Sequence, residues 1–404
     1  MLIKTAAGAA LAAPALRRSV AQQPTTVRWW YHFDNPANTP AELVDKFQKA
    51  NPGIRIEAES IPWGGGNDYQ TRLFAAVVAG SPPDCALVKV ANQSRLLEMG
   101  ALAPLDQKLA GWAGRADIPE DAWTLNRGPD GKQYYLPAHY VVLYLYYRVD
   151  WFKDAGLQPP KTFEDFLAAA KALTKEADQR WGFGMRGGAG GHDNWGPFVL
   201  GNGAKFEKGG MVSPQALAAN RWFVDLYRTH HVFPPSAPND GFRQIVDNFK
   251  AGRTAMAIHH IGSSNEVSEA LGDKASAVPV PKPANGKGWT LFCDESNAIF
   301  AGSKVQDAAF KWITFLSTAE NNLILTKLSG QLTITRSGGQ NWKLHPQRFV
   351  DATFASLASA AVLPDNPKTP DFVRTVWPTN MQRALLGEIQ PDAMMQAIEK
   401  HFNG

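Results

Sequence analysis

The side chains on this chain that could do chemistry are its nine histidines, two cysteines and a few closely spaced carboxylates. Their spacing decides which chemistry is open to them. His230-His231 and His259-His260 are adjacent pairs, and no HExxH helix accompanies either. Neighbours on a strand point to opposite faces, so neither pair presents both rings to one metal. Asp294-Glu295 is a carboxylate pair of the kind a glycosidase needs, but the same alternation separates the two groups. The pair reads instead as a loop or as a single ligand contact. No GxSxG nucleophile elbow is present. Gly182, Gly184 and Gly187 have dinucleotide-fingerprint spacing, with Glu207 twenty residues beyond Gly187. The flanks, KEADQRW before and AGGHDNW after, predict neither the strand nor the helix that such a fingerprint needs. Cys85 and Cys293 are far apart and lack metal spacing, so two separate buried thiols are expected. These patterns point away from an enzyme, a metal site and a cofactor.

The remaining polar groups must be placed by the elements that carry them. Val27, Trp29, Tyr31 and Phe33 alternate on one face of a first strand. Thr39-Pro40-Ala41-Glu42 reads as a helix start, and Asn51-Pro52-Gly53 stops that helix. Ile54, Ile56 and Ala58 make a second strand, a helix begins near Asp68, and CALVKV from Cys85 is a third strand. Strand and helix alternate to Gly100, which predicts a parallel sheet with covering helices. Ligands of such sheets bind beyond the carboxyl ends of the strands. Those ends are His32 to Asn35, Ile61 to Gly65 and Lys89 to Gln93, all with polar or aromatic groups.

Further on, Val141 to Tyr147 is an unbroken apolar and aromatic run, read as a strand buried on both faces. Gly156 and Pro159-Pro160 end a short helix. Thr162 and Asp165 then form a capping box for a helix with Phe163, Phe166, Ala170 and Leu173 on one face. Residues 182–204 are Gly-rich around His192, Asp193 and Trp195. Ser213-Pro214 starts another helix, TAMAIHHI reads as a strand, and Ser296 to Phe300 as one more.

At 404 residues the chain is too long for a single core, and two domains are expected. Lys4 followed by TAAGAALAAPAL and the small-residue site Ser19-Val20-Ala21 resembles an export signal, too short to span a bilayer. No Cys follows it, so no lipid anchor is expected. Removing residues 1–21 takes away Lys4, Arg17 and Arg18 and lowers the formal net charge from +4 to +1. With no Lys/Arg cluster either, nucleic acid is not an expected partner.

With these segments in place, the chain resembles the carbohydrate-binding extracellular solute-binding proteins of bacterial ABC importers, the group that includes the maltose-binding protein. FQKANPGIRI (Phe47–Ile56) is similar to the family's helix-to-strand entry, Ala79-Gly80-Ser81-Pro82-Pro83-Asp84 to its A-x-G-x-x-P-D turn, and Gly100–Asp106 to its GALAPLD. LYYRVDWFKDAGLQPPKTFEDF (Leu145–Phe166) resembles its long strand-to-helix signature, with Arg148 replacing the usual Asn and Trp151 the usual Leu. FKAGRTAM (Phe249–Met256) and Ala308–Leu316 complete the set, in the family's order. The resemblance implies an α/β fold of two lobes, each a mainly parallel sheet covered by helices, joined by crossing strands. It implies an export signal over 1–24, a first lobe of 25–138 with 298–342, a second of 139–292 with 345–404, and crossings at 293–297 and 343–344. A crossing is also expected near His139.

It further implies a periplasmic, monomeric protein that holds a mono- or oligosaccharide between its lobes and hands it to a membrane permease. A sugar offers hydroxyls at its rim and C–H groups on its faces, so its site needs fixed polar groups and aromatic planes. The candidates are His32, Asp34 and Asn35; Trp63, Gly64 and Gly65; Lys89, Asn92 and Gln93; His139 and Tyr140; His192, Asp193 and Trp195; His259 and His260; Trp289; and Arg374 with Trp377. Core packing competes for each aromatic, and a surface ion pair competes for Lys89 and Arg374. If both cations face the cleft, an anionic sugar becomes a candidate. A secreted carbohydrate-active enzyme and a sugar sensor feeding a chemoreceptor are the rival functions.

Overall fold

The computed structural model describes residues 23–33, 37–61, 68–89, 93–339 and 344–404. Most of the export-signal segment, together with Asp34, Asn35, Trp63, Gly64, Gly65, Asn92 and Trp342, therefore lies outside the described residues. Among the described residues, ten strands carry the architecture: β1 (Thr25–Tyr31), β2 (Ile54–Ser60), β3 (Cys85–Lys89), β4 (Tyr135–Arg148), β5 (Trp181–Gly184), β6 (Thr254–His260), β7 (Ala275–Val278), β8 (Thr290–Ile299), β9 (Leu332–Thr333) and β10 (Ala360–Ala361). Their hydrogen-bonded order is β2-β1-β3-β8-β4-β6-β5, with β7 and β9 also on β4 and β10 on β8.

The first lobe is built on β2, β1 and β3, which run parallel. Val27, Trp29 and Tyr31 enter one apolar cluster with Phe47 and Trp312, while Trp30 enters another with Tyr69 and Leu73. Both faces of β1 are thus covered, as expected for a strand inside a layered α/β sheet. The second lobe has β5 parallel to β6, again with a cluster on each face. Sheet direction changes at the strands between the lobes. β8 runs antiparallel to β3 through Glu295–Ile299, and β4 runs antiparallel to both β8 and β6. The parallel pairs lie within each lobe, and the antiparallel ones are made by β8 and β4, which pass between the lobes.

β4 is the longest of these strands, at 14 residues. Its first residues pair with Ser296–Ala298 of β8, and its last with β6 and β7. Val141–Tyr146 are all buried, in line with the apolar run. The register slips between Pro137 and His139, so Ala138 is an extra residue on β4. Such a bulge twists the strand and re-aims the next side chain. Downstream, Gly156 takes φ +67°, and Thr162 and Asp165 form the reciprocal cap of helix Phe163–Leu173. Asp165 N donates to Thr162 Oγ1 at 3.2 Å, and Thr162 N to Asp165 Oδ2 at 3.0 Å.

Two local expectations are corrected. Helix Ala41–Ala50 is capped by Pro40 with no side-chain cap bond, so Thr39 and Glu42 form no box there. The fingerprint-like glycines do have a strand, Trp181–Gly184, and a helix, His192–Val199, as neighbours. Yet Gly182 and Gly184 lie within the strand instead of on a phosphate-cradling turn. A Cβ on Gly182 would sit 2.3 Å from the Ala170 carbonyl oxygen, so its absence lets helix and strand pack closely.

Candidate functional site

The carboxyl ends of β1 and β3 and the crossing strands bring four ionisable groups together. Glu295 on β8 is the centre of the group. Lys89, the last residue of β3, places Nζ 2.8 Å from Glu295 Oε1. His139, turned by the β4 bulge, sets Nε2 2.8 Å from Oε2, the geometry of an N–H donated to a carboxylate. His32, just past β1, has Nε2 3.5 Å from the same oxygen. Burial would raise the Glu295 carboxyl, but the Lys89 ammonium and the His32 and His139 rings outweigh it and hold it well below the usual range. Burial pushes His32 down to about 4.

The second lobe supplies the facing wall. Arg186 follows β5, and its Nη1 lies 3.1 Å from Asp193 Oδ2, with Nη2 also donated to the Ala189 carbonyl. Helix His192–Val199 carries Asp193 and His192 on its first turn. Asn194 ties that turn down: its Oδ1 accepts from Arg186 N at 3.2 Å, and its Nδ2 donates to Asp193 Oδ1 at 3.1 Å. At the end of β6, the His259 ring packs on Phe242 at 4.3 Å, and His260 Nδ1 accepts from Gly262 N at 2.9 Å. Both ring nitrogens of His192 and Nε2 of His259 are buried with no hydrogen-bond partner. Burial, followed by the Arg186 and Lys89 charges, pushes His192 down to about 3. Burial takes His259 to about 3, and with the neighbouring His259 it takes His260 well below the ordinary range. Asp193 is raised by burial against the pull of Arg186 and Lys89.

Lys89 acts electrostatically on His192, Asp193 and His260, so the two walls face one another. The rim is bridged as well. Arg374 donates from Nη2 to Asp371 Oδ1 at 2.7 Å and from Nη1 to Thr71 Oγ1 at 3.3 Å. Arg95 Nη1 reaches Asp371 Oδ2 at 3.2 Å, and the Ser94 hydroxyl bonds the Asp365 carboxylate. Thr71, Ser94 and Arg95 belong to helices Asp68–Val78 and Gln93–Glu98 of the first lobe.

The other expected site residues are placed differently. Trp195 and Trp377 are 0% exposed in the second-lobe core, and Trp195 Nε1 donates to Asn220 Oδ1 at 2.8 Å. Their apolar area is spent on packing. Trp289 is half-buried against Gly196 and Gly201, where any Cβ would meet its side chain or the helix backbone. Tyr140 does not join His139, since consecutive strand residues point to opposite faces. Its ring packs tilted at 5.4 Å from Phe292 and lines a separate groove of about 680 Å³ with Pro119, Leu332, Ile334 and Phe354. Gln93 begins a first-lobe helix, and nothing further is described of its side chain. Lys89 and Arg374 both sit at the cleft, each paired with a carboxylate.

Two central residues were missed from the sequence. Glu295 was read only as half of an adjacent pair, and Arg186 was one cation among glycines. Glu295 carries no local signal, because its partners Lys89, His139 and His32 are 206, 156 and 263 positions away. Arg186 could have been singled out as the charged residue in a Gly-rich loop beside His192 and Asp193. Cys85 is a buried free thiol, as expected, and burial raises its pKa.

The comparisons with known proteins agree with this architecture. The model of the bacterial extracellular solute-binding protein family matches residues 34–323. A Brucella abortus protein with a binding-protein name is 23% identical over 366 residues, covering 88% of this chain and 86% of that one. The alpha-glucosides-binding periplasmic protein AglE of Rhizobium meliloti is 29% identical over 152 residues, 35% of this chain and 32% of that one. Among solved structures, an ABC transporter solute-binding protein of Thermotoga lettingae bound with alpha-D-tagatose superposes with a TM-score of 0.81 at 23% identity, covering 94% of this chain and 99% of that one. The GacH receptor of Streptomyces glaucescens, solved unliganded and with acarbose, gives 0.81 at 22% identity, covering 94% and 97%. The chain has the two-lobe periplasmic-binding-protein fold and belongs to the bacterial extracellular solute-binding protein family.

Proposed function

We propose that this protein is the substrate-binding component of an ABC sugar importer. It binds a sugar between its lobes and presents the closed form to a membrane permease. The observation that carries this reading is the pair of facing walls: paired ions and uncharged imidazoles, contributed by both lobes and bridged at the rim. Such groups hydrogen-bond hydroxyls, and only a ligand touching both walls favours closure. Relatives named for glucosides, tagatose and acarbose support a sugar as the solute. The residues taken to face it are His32, Lys89, His139 and Glu295 from the first lobe and crossings, and Arg186, His192, Asp193, His259 and His260 from the second. Asp34, Asn35, Trp63, Gly64, Gly65 and Asn92 would supply the remaining first-lobe contacts.

The lobes are taken as 25–138 with 298–342 and 139–292 with 345–404, joined by crossings at 293–297 and 343–344. Export on the 1–24 signal would place the monomer in the periplasm. Among the described residues, no helix is long and apolar enough to cross a membrane. The test is a thermal-shift screen of sugars, followed by small-angle scattering with the best ligand. Saturable stabilisation, a decrease in radius of gyration and no consumption of the sugar over hours are expected. Turnover of the sugar would overturn the reading.

A further inference from the structure

Resting on that reading, we infer that the cleft takes a compact, uncharged polyhydroxylated ligand, a monosaccharide or sugar alcohol enclosed whole, and excludes sugar acids and sugar phosphates. Charge is the first argument. The cations at the cleft are already matched, Lys89 by Glu295 at 2.8 Å, Arg186 by Asp193 at 3.1 Å and Arg374 by Asp371 at 2.7 Å. An anionic ligand would bring an unmatched charge against the Glu295 and Asp193 carboxylates, and a buried unmatched charge is heavily penalised. Hydroxyls meet no such penalty. They donate to the carboxylates and accept from Arg186 and Lys89 in charge-assisted bonds.

Hydrogen-bond capacity is the second argument. His192 is 5% exposed with both ring nitrogens unpartnered, and His259 is 3% exposed with Nε2 unpartnered. A neutral imidazole offers one donor and one acceptor, and a hydroxyl is both, so vicinal hydroxyls satisfy these rings without any change of charge. A carboxylate or phosphate accepts only, and would leave the acceptor nitrogen of each ring orphaned.

Enclosure is the third. The six groups His32, His139, His192, His259, His260 and Glu295 are all buried. The Thr71–Arg374, Arg95–Asp371 and Ser94–Asp365 contacts close the rim from one lobe to the other. An oligosaccharide needs an open-ended groove and aromatic planes along it. Here Trp195 and Trp377 are consumed by the core. Among the described residues the walls are instead lined by imidazoles and ions, which suit a ligand with hydroxyls on all sides.

The test is isothermal titration of the full mature chain at pH 7.5 with three ligand sets. These are neutral pentoses, hexoses and their alditols; neutral trisaccharides and longer; and uronic acids with hexose phosphates. A member of the first set is expected to saturate the site, with its acidic counterpart and its oligomer about 100-fold weaker or worse. Tighter binding of a longer oligosaccharide or of an acidic sugar overturns this inference and leaves the sugar-binding reading standing. No response to any of the three sets overturns both. In Glu295→Gln, and separately in Asp193→Asn, the discrimination against the acidic counterpart is expected to narrow about tenfold. An unchanged ratio in every variant that folds overturns the charge argument.

Discussion

Glu295 draws Lys89, His139 and His32 onto one carboxylate, and most of the site's energetics passes through it. Removing it leaves the Lys89 ammonium facing two imidazoles, those of His32 and His139. Glu295→Ala is therefore expected to cost roughly 3 kcal/mol in urea unfolding at pH 7, the scale of breaking a buried ion pair. A loss below about 1 kcal/mol would mean the pair is no more than a surface contact. The histidines add a pH signature. His32 sits at about 4 and His192 and His259 at about 3 in the folded chain, against 6.5 when unfolded. The folded state keeps them neutral and the unfolded state protonates them. Their contribution is thus whole above about pH 6.5 and falls with pH toward 4, by up to about 1.4 kcal/mol per unit for each ring. Glu295 has a depressed pKa, so its contribution stands above its unfolded value and is lost as pH falls through the folded one, which extends the decline. Urea midpoints measured from pH 8 to 4 should decline below 6.5, and a flat curve would contradict the burial of these rings.

At the level of elements, the site depends on how tightly the turn before helix His192–Val199 is packed. A Cβ on Gly191 would lie 1.9 Å from the Arg186 carbonyl oxygen and 2.8 Å from the Trp377 ring. Gly191→Ala must displace the helix start and with it His192 and Asp193. The expected result is a ligand affinity at least about tenfold weaker, together with about 1–3 kcal/mol of lost stability. Thr162→Ala makes a contrasting case. It removes a cap whose bonds run to Asp165 and to no wall residue, and should cost about 1 kcal/mol with no change in Kd. That cap was legible from four residues because its bonds are local. The length of β8 was not: only Ser296 to Phe300 was foreseen, whereas the strand begins at Thr290. Its earlier residues hold their extended form by pairing with β10, 70 positions on, and with β4, about 150 positions back, and local propensity does not report such pairing.

For the whole molecule, the proposed function rests on the balance between separated and closed lobes. Asp371 meets Arg95 across the rim and holds Arg374, three residues on, toward Thr71, and these groups are partly exposed, so each contact is worth at most about 1 kcal/mol. Together they bias the population without locking it. Asp371→Ala is expected to weaken ligand binding about 5- to 10-fold, chiefly through faster release. Its melting temperature without ligand should be nearly unchanged. Stopped-flow dissociation would check this, and unaltered release would show that the rim contacts do not hold the closed form.

The alternating strands and helices of the first lobe, the buried β4 run and the Thr162 cap follow from local pattern, whereas the two lobes were implied by the resemblance to a family. Apolar periodicity and capping act over a few residues, so the chain determines them by itself. Strand ends were also legible as places for polar groups, and His32, Lys89 and His139 do meet there. Tertiary structure decided the rest. It set which side of β4 faces the cleft, separating His139 from Tyr140, because a bulge at Ala138 cannot be seen in composition. It also sent Trp195 and Trp377 to the core and made Glu295 and Arg186 central. The charge of the cleft is a sum over partners contributed by distant strands, and only the folded arrangement shows each cation beside a carboxylate.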